Sequence, residues 1–235
     1  MPVARSRQAV SVELFGGNMN PAGEVEHEPR SGAARKTQRI VNAALQVFLD
    51  TGYGAATVDA IASAAGVSKA TIYTRFASKE ALFAAVIERE CLACSKRMAV
   101  VEQAPALELS QALREIADML LDIILLPRNL AIQRLVIAEL PRFPELGRTF
   151  YDRGPAITLK NLANFVRARV ARGELRVADP AVAAQHFISL LRGDIQWRAL
   201  MEQMAVSDTA RRAARERTVG VFIQLYGAPP DVARP

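Results

Sequence analysis

The chain has 235 residues, of which 51% are hydrophobic and 23% charged, with 30 Lys and Arg against 24 Asp and Glu for a formal net charge of +6. This is enough apolar material to bury a substantial core, in one large domain or two smaller ones. Two cysteines exclude a disulfide scaffold, and the apolar run at the amino end is too short and too interrupted by Glu13 to act as a signal peptide. The strongest apolar segment, Met119 to Leu126, contains Asp122 and is stopped by Pro127, far below the ~20 residues of a membrane span, so a cytoplasmic chain with no membrane partner is expected.

From Met1 to Arg30 there is neither helical nor strand periodicity, and the stretch GEVEHEP closes it, so residues 1–34 are expected to be a flexible arm, with Met19 as an alternative start. Its basic end, Arg30 to Lys36, would suit the minor groove of DNA. The next run, RKTQRIVNAALQVFLDTG from Arg35 to Gly52, carries Ile40, Ala44, Val47 and Phe48 as a buried stripe, with Gly52 as its stop.

Thr57 to Leu82, TVDAIASAAGVSKATIYTRFASKEAL, reads as a helix-turn-helix followed by the start of a third helix. Thr57 caps the first helix and Asp59 meets the positive end of its dipole, while Val58, Ile61, Ala62 and Ala65 recur at the helical period. Gly66 ends it, because a left-handed residue is needed there and glycine has no Cβ to clash. Ser68 caps the second helix, on which Ile72 and Phe76 face inward with Val67 in the corner. Ala70 and Thr74 then point outward, with Thr71 and Tyr73 on the flanks and Lys69 in the first turn on a long stem. Ala70 suits a thymine methyl, Lys69 guanine O6/N7, Thr71 or Thr74 a base or a phosphate, and Tyr73 a phosphate. Ser78 caps the third helix, where Lys79 beside exposed amides suggests a phosphate anchor. Between Arg30 and Lys79, seven basic side chains stand against two acidic ones, a local excess that attracts phosphate without dictating sequence.

Gly66, Val67, Ser68, Thr71, Ile72, Tyr73, Phe76, Lys79, Glu80 and Leu82 follow the pattern G-V-S-x-x-T-I/L-Y-x-x-F-x-x-K-E-x-L, which resembles the DNA-binding motif of the TetR family of bacterial regulators. Arg75 stands where many members carry His or Tyr, and Arg35 to Gly52 looks like the family's first helix. RLVIAELPRFPELGRTFYDRGP, Arg134 to Pro155, is similar to the C-terminal domain of AefR-like members. The resemblance implies that Thr57, Ser68, Lys69, Ala70, Thr71, Tyr73, Thr74, Arg75 and Lys79 form the DNA-binding set, and that the protein represses a promoter until a small ligand releases it.

Beyond this head the expected elements are all helices: Ser78 to about Gln103, Leu107 to Leu126, Arg128 to Leu140, Pro144 to Arg172 with a kink at Gly154-Pro155, Pro180 to Met201, and Asp208 to Tyr226. The end of the Leu107 to Leu126 helix is apolar on nearly every side and so sits at a centre. In the family the equivalent region encloses an inducer, and the resemblance offers Met119, Ile123, Phe150, Phe165, Phe187 and Leu191 as lining, with Gln133, His186 and Trp197 as polar contacts. Packing of the core is the plainer use of the same apolar residues. One chain cannot easily cover both sides of the stripes at Ala184, Phe187, Ile188 and Leu191, and at Val219, Phe222, Ile223 and Tyr226, and the resemblance implies that this helix pair forms a four-helix bundle with a two-fold mate, giving a homodimer that reads a palindromic operator.

Catalytic readings find little to rest on, since His27 and His186 supply neither a pair at metal-ligand spacing nor a Ser/His/Asp set. No cofactor, metal or enzymatic activity is expected. Cys91 and Cys94, at i and i+3, offer an alternative as a thiol or soft-metal sensor in a helical small-molecule-binding protein, against the simpler use of buried cysteine as a small hydrophobe. The fold expected is all-α, with about nine helices: a three-helix DNA-binding domain over 35–82 and a helical ligand-binding and dimerisation domain over 83–235.

Overall fold

The computed structural model describes residues 32–90, 107–202 and 205–229; the expected arm before Gly32, and Cys91 and Cys94, lie outside them. The described residues are all-α, with one isolated antiparallel bridge, Leu175 to Gly227, and no helix among them is long and apolar enough to cross a membrane. In chain order the first helices are α1 (Gly32–Thr51), α2 (Val58–Ala65), α3 (Lys69–Tyr73) and α4 (79–90). They are followed by α5 (Leu109–Ile124), α6 (Pro127–Glu139), α7 (Pro144–Arg153), α8 (Pro155–Ala171), α9 (Pro180–Glu202) and α10 (Asp208–Tyr226).

Residues 32–39 of α1 are exposed except for half-buried Thr37, whose hydroxyl donates to Ala33 O at 3.1 Å. From Ile40 onward α1 turns Ile40, Val41, Ala44, Leu45 and Phe48 into a core. Gly52 stops it at φ 81°, and the sharp α2–α3 turn uses Gly66 at φ 61°. Side chains close the helix starts: Thr57 accepts from Ala60 N, Ser68 from Thr71 N, Ser78 from Ala81 N and Ser207 from Ala210 N. Pro127, Pro144 and Pro155 open α6, α7 and α8, where a missing N–H costs no helical bond. Because an L-residue is disfavoured at the Gly66 dihedrals, Gly66→Ala is expected to lower stability by about 1 kcal/mol, read as a lower urea midpoint at constant m-value.

The head packs around Phe48, Tyr53 and Phe83, whose ring centroids lie 5.4 to 5.8 Å apart. The same core takes in Ile132, Val136 and Leu146 from α6 and α7, so packing continues beyond residue 82. A second core surrounds α5, which α6, α9 and α10 flank; its polar edge, Asp118 and Asp122, forms ion pairs with Arg215 and Arg211 of α10. Backbone bonds from Arg176 N to Tyr226 O and from Ala228 N to Glu174 O tie the end of α10 to the α8–α9 link.

Two helices differ from expectation. The expected bend at Gly154-Pro155 is a full break between α7 and α8, with Gly154 at φ −126°, ψ −90°, because Pro155 cannot supply an N–H to continue the ladder. Within α9, Gly193 sits at φ 34°, ψ −140°, breaking a helix that reads as continuous; a positive φ is open to glycine at little cost.

Candidate functional site

The outer side of the helix-turn-helix is exposed at Ser68, Lys69, Ala70, Tyr73, Thr74 and Arg75, while Ile72 is 2% exposed beneath it and Val67 and Phe76 wedge the corner. α3 is short, and turn hydrogen bonds from Arg75 N and Phe76 N to Ile72 O extend its course. Local bonds order its hydroxyls: Ser68 Oγ lies 2.9 Å from half-buried Thr71 Oγ1, and Thr74 Oγ1 donates to Thr71 O at 2.9 Å. Thr57 is exposed at the N-terminus of α2. The Lys69 ammonium donates to Asp59 Oδ2 at 2.8 Å, and this bond and charge raise its pKa. Both partners are exposed, so solvent screens the pair and a competing anion can displace Asp59.

Lys79 is placed differently from its expected role as a phosphate anchor. Its ammonium donates to Tyr53 O at 2.8 Å and Ala56 O at 3.1 Å, lies 3.4 Å from Gly54 O, and stands 4.4 Å from the centre of the Tyr53 ring. It therefore knots the α1–α2 turn onto the start of α4. In the same knot the Tyr53 hydroxyl donates to Glu80 Oε1 at 3.0 Å. Burial, with Glu80 adding to it, pushes the Tyr53 phenol up, whereas the Ser78 hydroxyl leads in holding the Glu80 carboxyl below its ordinary value. From the other side Glu139 accepts from Gly54 N at 3.2 Å, and the Phe143 ring lies 5.2 Å from that of Tyr53. Sequence reasoning missed this clamp, because the carbonyls that hold Lys79 lie more than twenty residues earlier in the chain.

A cavity of about 120 Å³ lies among α4 to α9. Of the expected lining, Ile123, Gln133 and Phe150 reach it. Met119, Phe165, Phe187 and Leu191 do not: each is at most 1% exposed and fills the core around α5, so the plainer packing use holds for them. His186 and Trp197 lie on exposed helix surface away from the wall, His186 Nδ1 being hydrogen-bonded to the Tyr226 hydroxyl. The wall also holds residues not expected there: Ile87 and Glu90 of α4, Asn129 of α6, and Ile188, read as a dimer residue, with Arg192 and Gln196 of α9. The last three recur at i, i+4 and i+8, so the available signal was a guanidinium set inside an apolar stripe.

The expected dimer residues are also largely spent within the chain. Ala184, Val219 and Phe222 are at most 2% exposed in the core around α5 and Ile188 faces the cavity, whereas Ile223 and Tyr226 are half-buried at the edge of that core. An apolar stripe records that a face is covered without saying by which chain.

A helix-turn-helix with an uncovered second helix, set on a helical body, is the architecture of a DNA-binding regulator. Residues 40–86 match the model for bacterial regulatory proteins of the tetR family, and residues 111–228 match that for the AefR-like transcriptional repressor C-terminal domain. The chain belongs to the TetR family of transcriptional regulators. A putative TetR-family regulator from Mesorhizobium loti superposes with a TM-score of 0.74 at 28% identity, covering 84% of this chain and all of that one. The flavonoid-responsive regulator FrrA superposes at 0.71 with 36% identity and the same coverage. The HTH-type transcriptional activator FasR of Mycolicibacterium smegmatis is 41% identical over 73 residues, which span 31% of this chain and 33% of that relative.

Proposed function

We propose that the chain acts as a homodimeric repressor, in which α3 enters the major groove at each half of a palindromic operator and a small hydrophobic or amphipathic molecule in the cavity releases it. The observation that carries the DNA reading is the exposed outer side of α3, with Ala70, Tyr73, Thr74 and Arg75 presented together above buried Ile72. Ala70 and Thr74 face base edges, Lys69 leaves Asp59 for guanine or phosphate, and Ser68, Thr57 and Tyr73 meet the backbone. The repressor sign follows the matched C-terminal family, whereas FasR is named an activator. FrrA, by its name, responds to flavonoids, which supports a small organic effector here.

The mate is a second copy of this chain, laid against the outer sides of α9 and α10. Gly220 supports this: it is exposed in the middle of α10, and a Cβ built on it would meet nothing within 4 Å among the described residues, which therefore give no reason for a residue that weakens a helix. A partner helix at close approach gives one.

Selection of duplexes from a random pool is the test. Enrichment of a two-fold-symmetric site is expected, with half-sites one helical turn or a multiple of it apart; recovery of sequences at random overturns the reading. On the selected duplex Tyr73→Ala is expected to weaken specific and random DNA alike and to leave the salt slope unchanged, as loss of an uncharged phosphate contact does.

A further inference from the structure

We infer that the cavity takes a small aromatic carboxylic acid, its ring among the isoleucines of α4, α5 and α9 and its carboxylate on the Arg192 guanidinium. The inference rests on the reading of this cavity as the effector site and names the chemistry it selects.

Size comes first. At about 120 Å³ the space is close to the ~150 Å³ of a protein cavity that accepts benzene, so one ring fits within it. Much of the wall is apolar, with Ile87, Ile123, Ile124 and Ile188 among its members.

Charge then sets the head group. Two cavity residues, Arg192 and Asn129, each carry an enclosed polar atom without a partner: Arg192 Nε has no acceptor and Asn129 Oδ1 no donor. Burial lowers the Arg192 pKa, the Tyr151 phenol working the other way, which marks a cation short of counter-charge. The wall's carboxylate does not provide it. Glu90 Oε1 accepts from Arg89 Nη2 at 2.6 Å and Oε2 from Arg128 Nε at 2.5 Å, so its charge is matched by two other guanidiniums. Gln196 and Gln133 bond each other at 2.8 Å. What remains unsatisfied in the wall is the Arg192 Nε–H and one amide oxygen, and a carboxylate with a neighbouring hydroxyl on a ring carries an acceptor for the one and a donor for the other. Enclosing a guanidinium N–H without an acceptor is costly, and an anion that pairs with Arg192 relieves that cost.

The probes are benzoate and salicylate, their amides benzamide and salicylamide, and the flavonoid naringenin, measured by calorimetry on the full-length protein and by release of the selected duplex. Expected are binding and release by the acids, binding by the amides weakened about tenfold or more, and loss of that difference in Arg192→Gln. Arg192→Gln is further expected to melt no lower than the parent when empty, because it removes a buried unpaired charge. Equal binding of acids and amides, or a parent-like preference for acids in Arg192→Gln, overturns the acid inference. Should Arg192→Gln fail to fold, the comparison of acids with amides on the parent decides it. Release by naringenin without binding of any acid also overturns it and leaves the effector-cavity reading standing, whereas failure of every probe to bind removes both.

Discussion

Lys79→Ala is expected to abolish tight operator binding at 37 °C while leaving the salt dependence of the residual binding unchanged. The parent ammonium serves the carbonyls of Tyr53 and Ala56 and the face of the Tyr53 ring, all on the turn that fixes α2 against α4. Hydrogen bonds to a charged donor contribute about 1.5–3 kcal/mol each, and losing this donor leaves more than one half-buried carbonyl without it. A loss of about 2–4 kcal/mol, or a melting temperature on the order of 10 °C lower, is the expected readout. A phosphate anchor predicts the opposite pair of results: an unchanged melt, and a log K against log salt slope shallower by about 0.9. Lys79→Met, which keeps the stem but not the charge, should resemble Lys79→Ala if the knot is what matters.

That residue also marks the limit of what the sequence shows. Caps at Thr57, Ser68, Ser78 and Ser207, the glycine at 66 and the proline starts are local signals, and each appears where the spacing places it. Lys79 is a local signal with a distant answer: a first-turn lysine reads as a DNA contact until Tyr53 and Ala56 fold beside it. The apolar residues Met119, Phe165, Phe187 and Leu191 were legible as buried but not as core rather than cavity, because burial is blind to whether the neighbour is protein or ligand. The cavity reveals itself instead where polar residues interrupt an apolar stripe, as Arg192 does, and where Gly193 bends α9 immediately after it.

α4 relates the two ends of the proposed mechanism. Near its start, Lys79 and Glu80 hold the turn before α2, and eight to ten residues on, Ile87 and Glu90 form part of the cavity wall. Glu90 ties to Arg128 at the start of α6, and Arg89 beside it donates to Asn42 of α1. The far end of α6 returns to the head through Glu139, which accepts from Gly54 N. A molecule that moves Glu90 therefore acts on both supports of the helix-turn-helix, and a packed core transmits such a shift instead of absorbing it. Its effect on operator affinity is limited to the difference in its affinity for the two arrangements.

Gly220→Arg is expected to convert the dimer to a monomer and to lower operator affinity by about 10²–10⁴, the contribution of joining two half-site contacts in one molecule. The substitution is unusually clean because it cannot harm the protomer by the same route. Among the described residues a Cβ at Gly220 meets nothing within 4 Å, its φ is not among the positive values, and arginine favours a helix over glycine by about 0.8 kcal/mol, so the isolated chain should melt at the same temperature or higher. Against a partner helix, a long charged side chain must either hold the helices apart or be buried without a counter-ion. Gly220→Ala separates these terms: it gains helix propensity with one methyl group, and a modest loss of affinity there beside a large one in Gly220→Arg identifies close packing as the cause. Sedimentation at concentrations spanning the parent's dimerisation range checks the assembly, and anisotropy on the selected duplex checks the affinity. An arginine variant that stays dimeric with parent-like affinity places the mate elsewhere and removes the outer side of α10 from the interface.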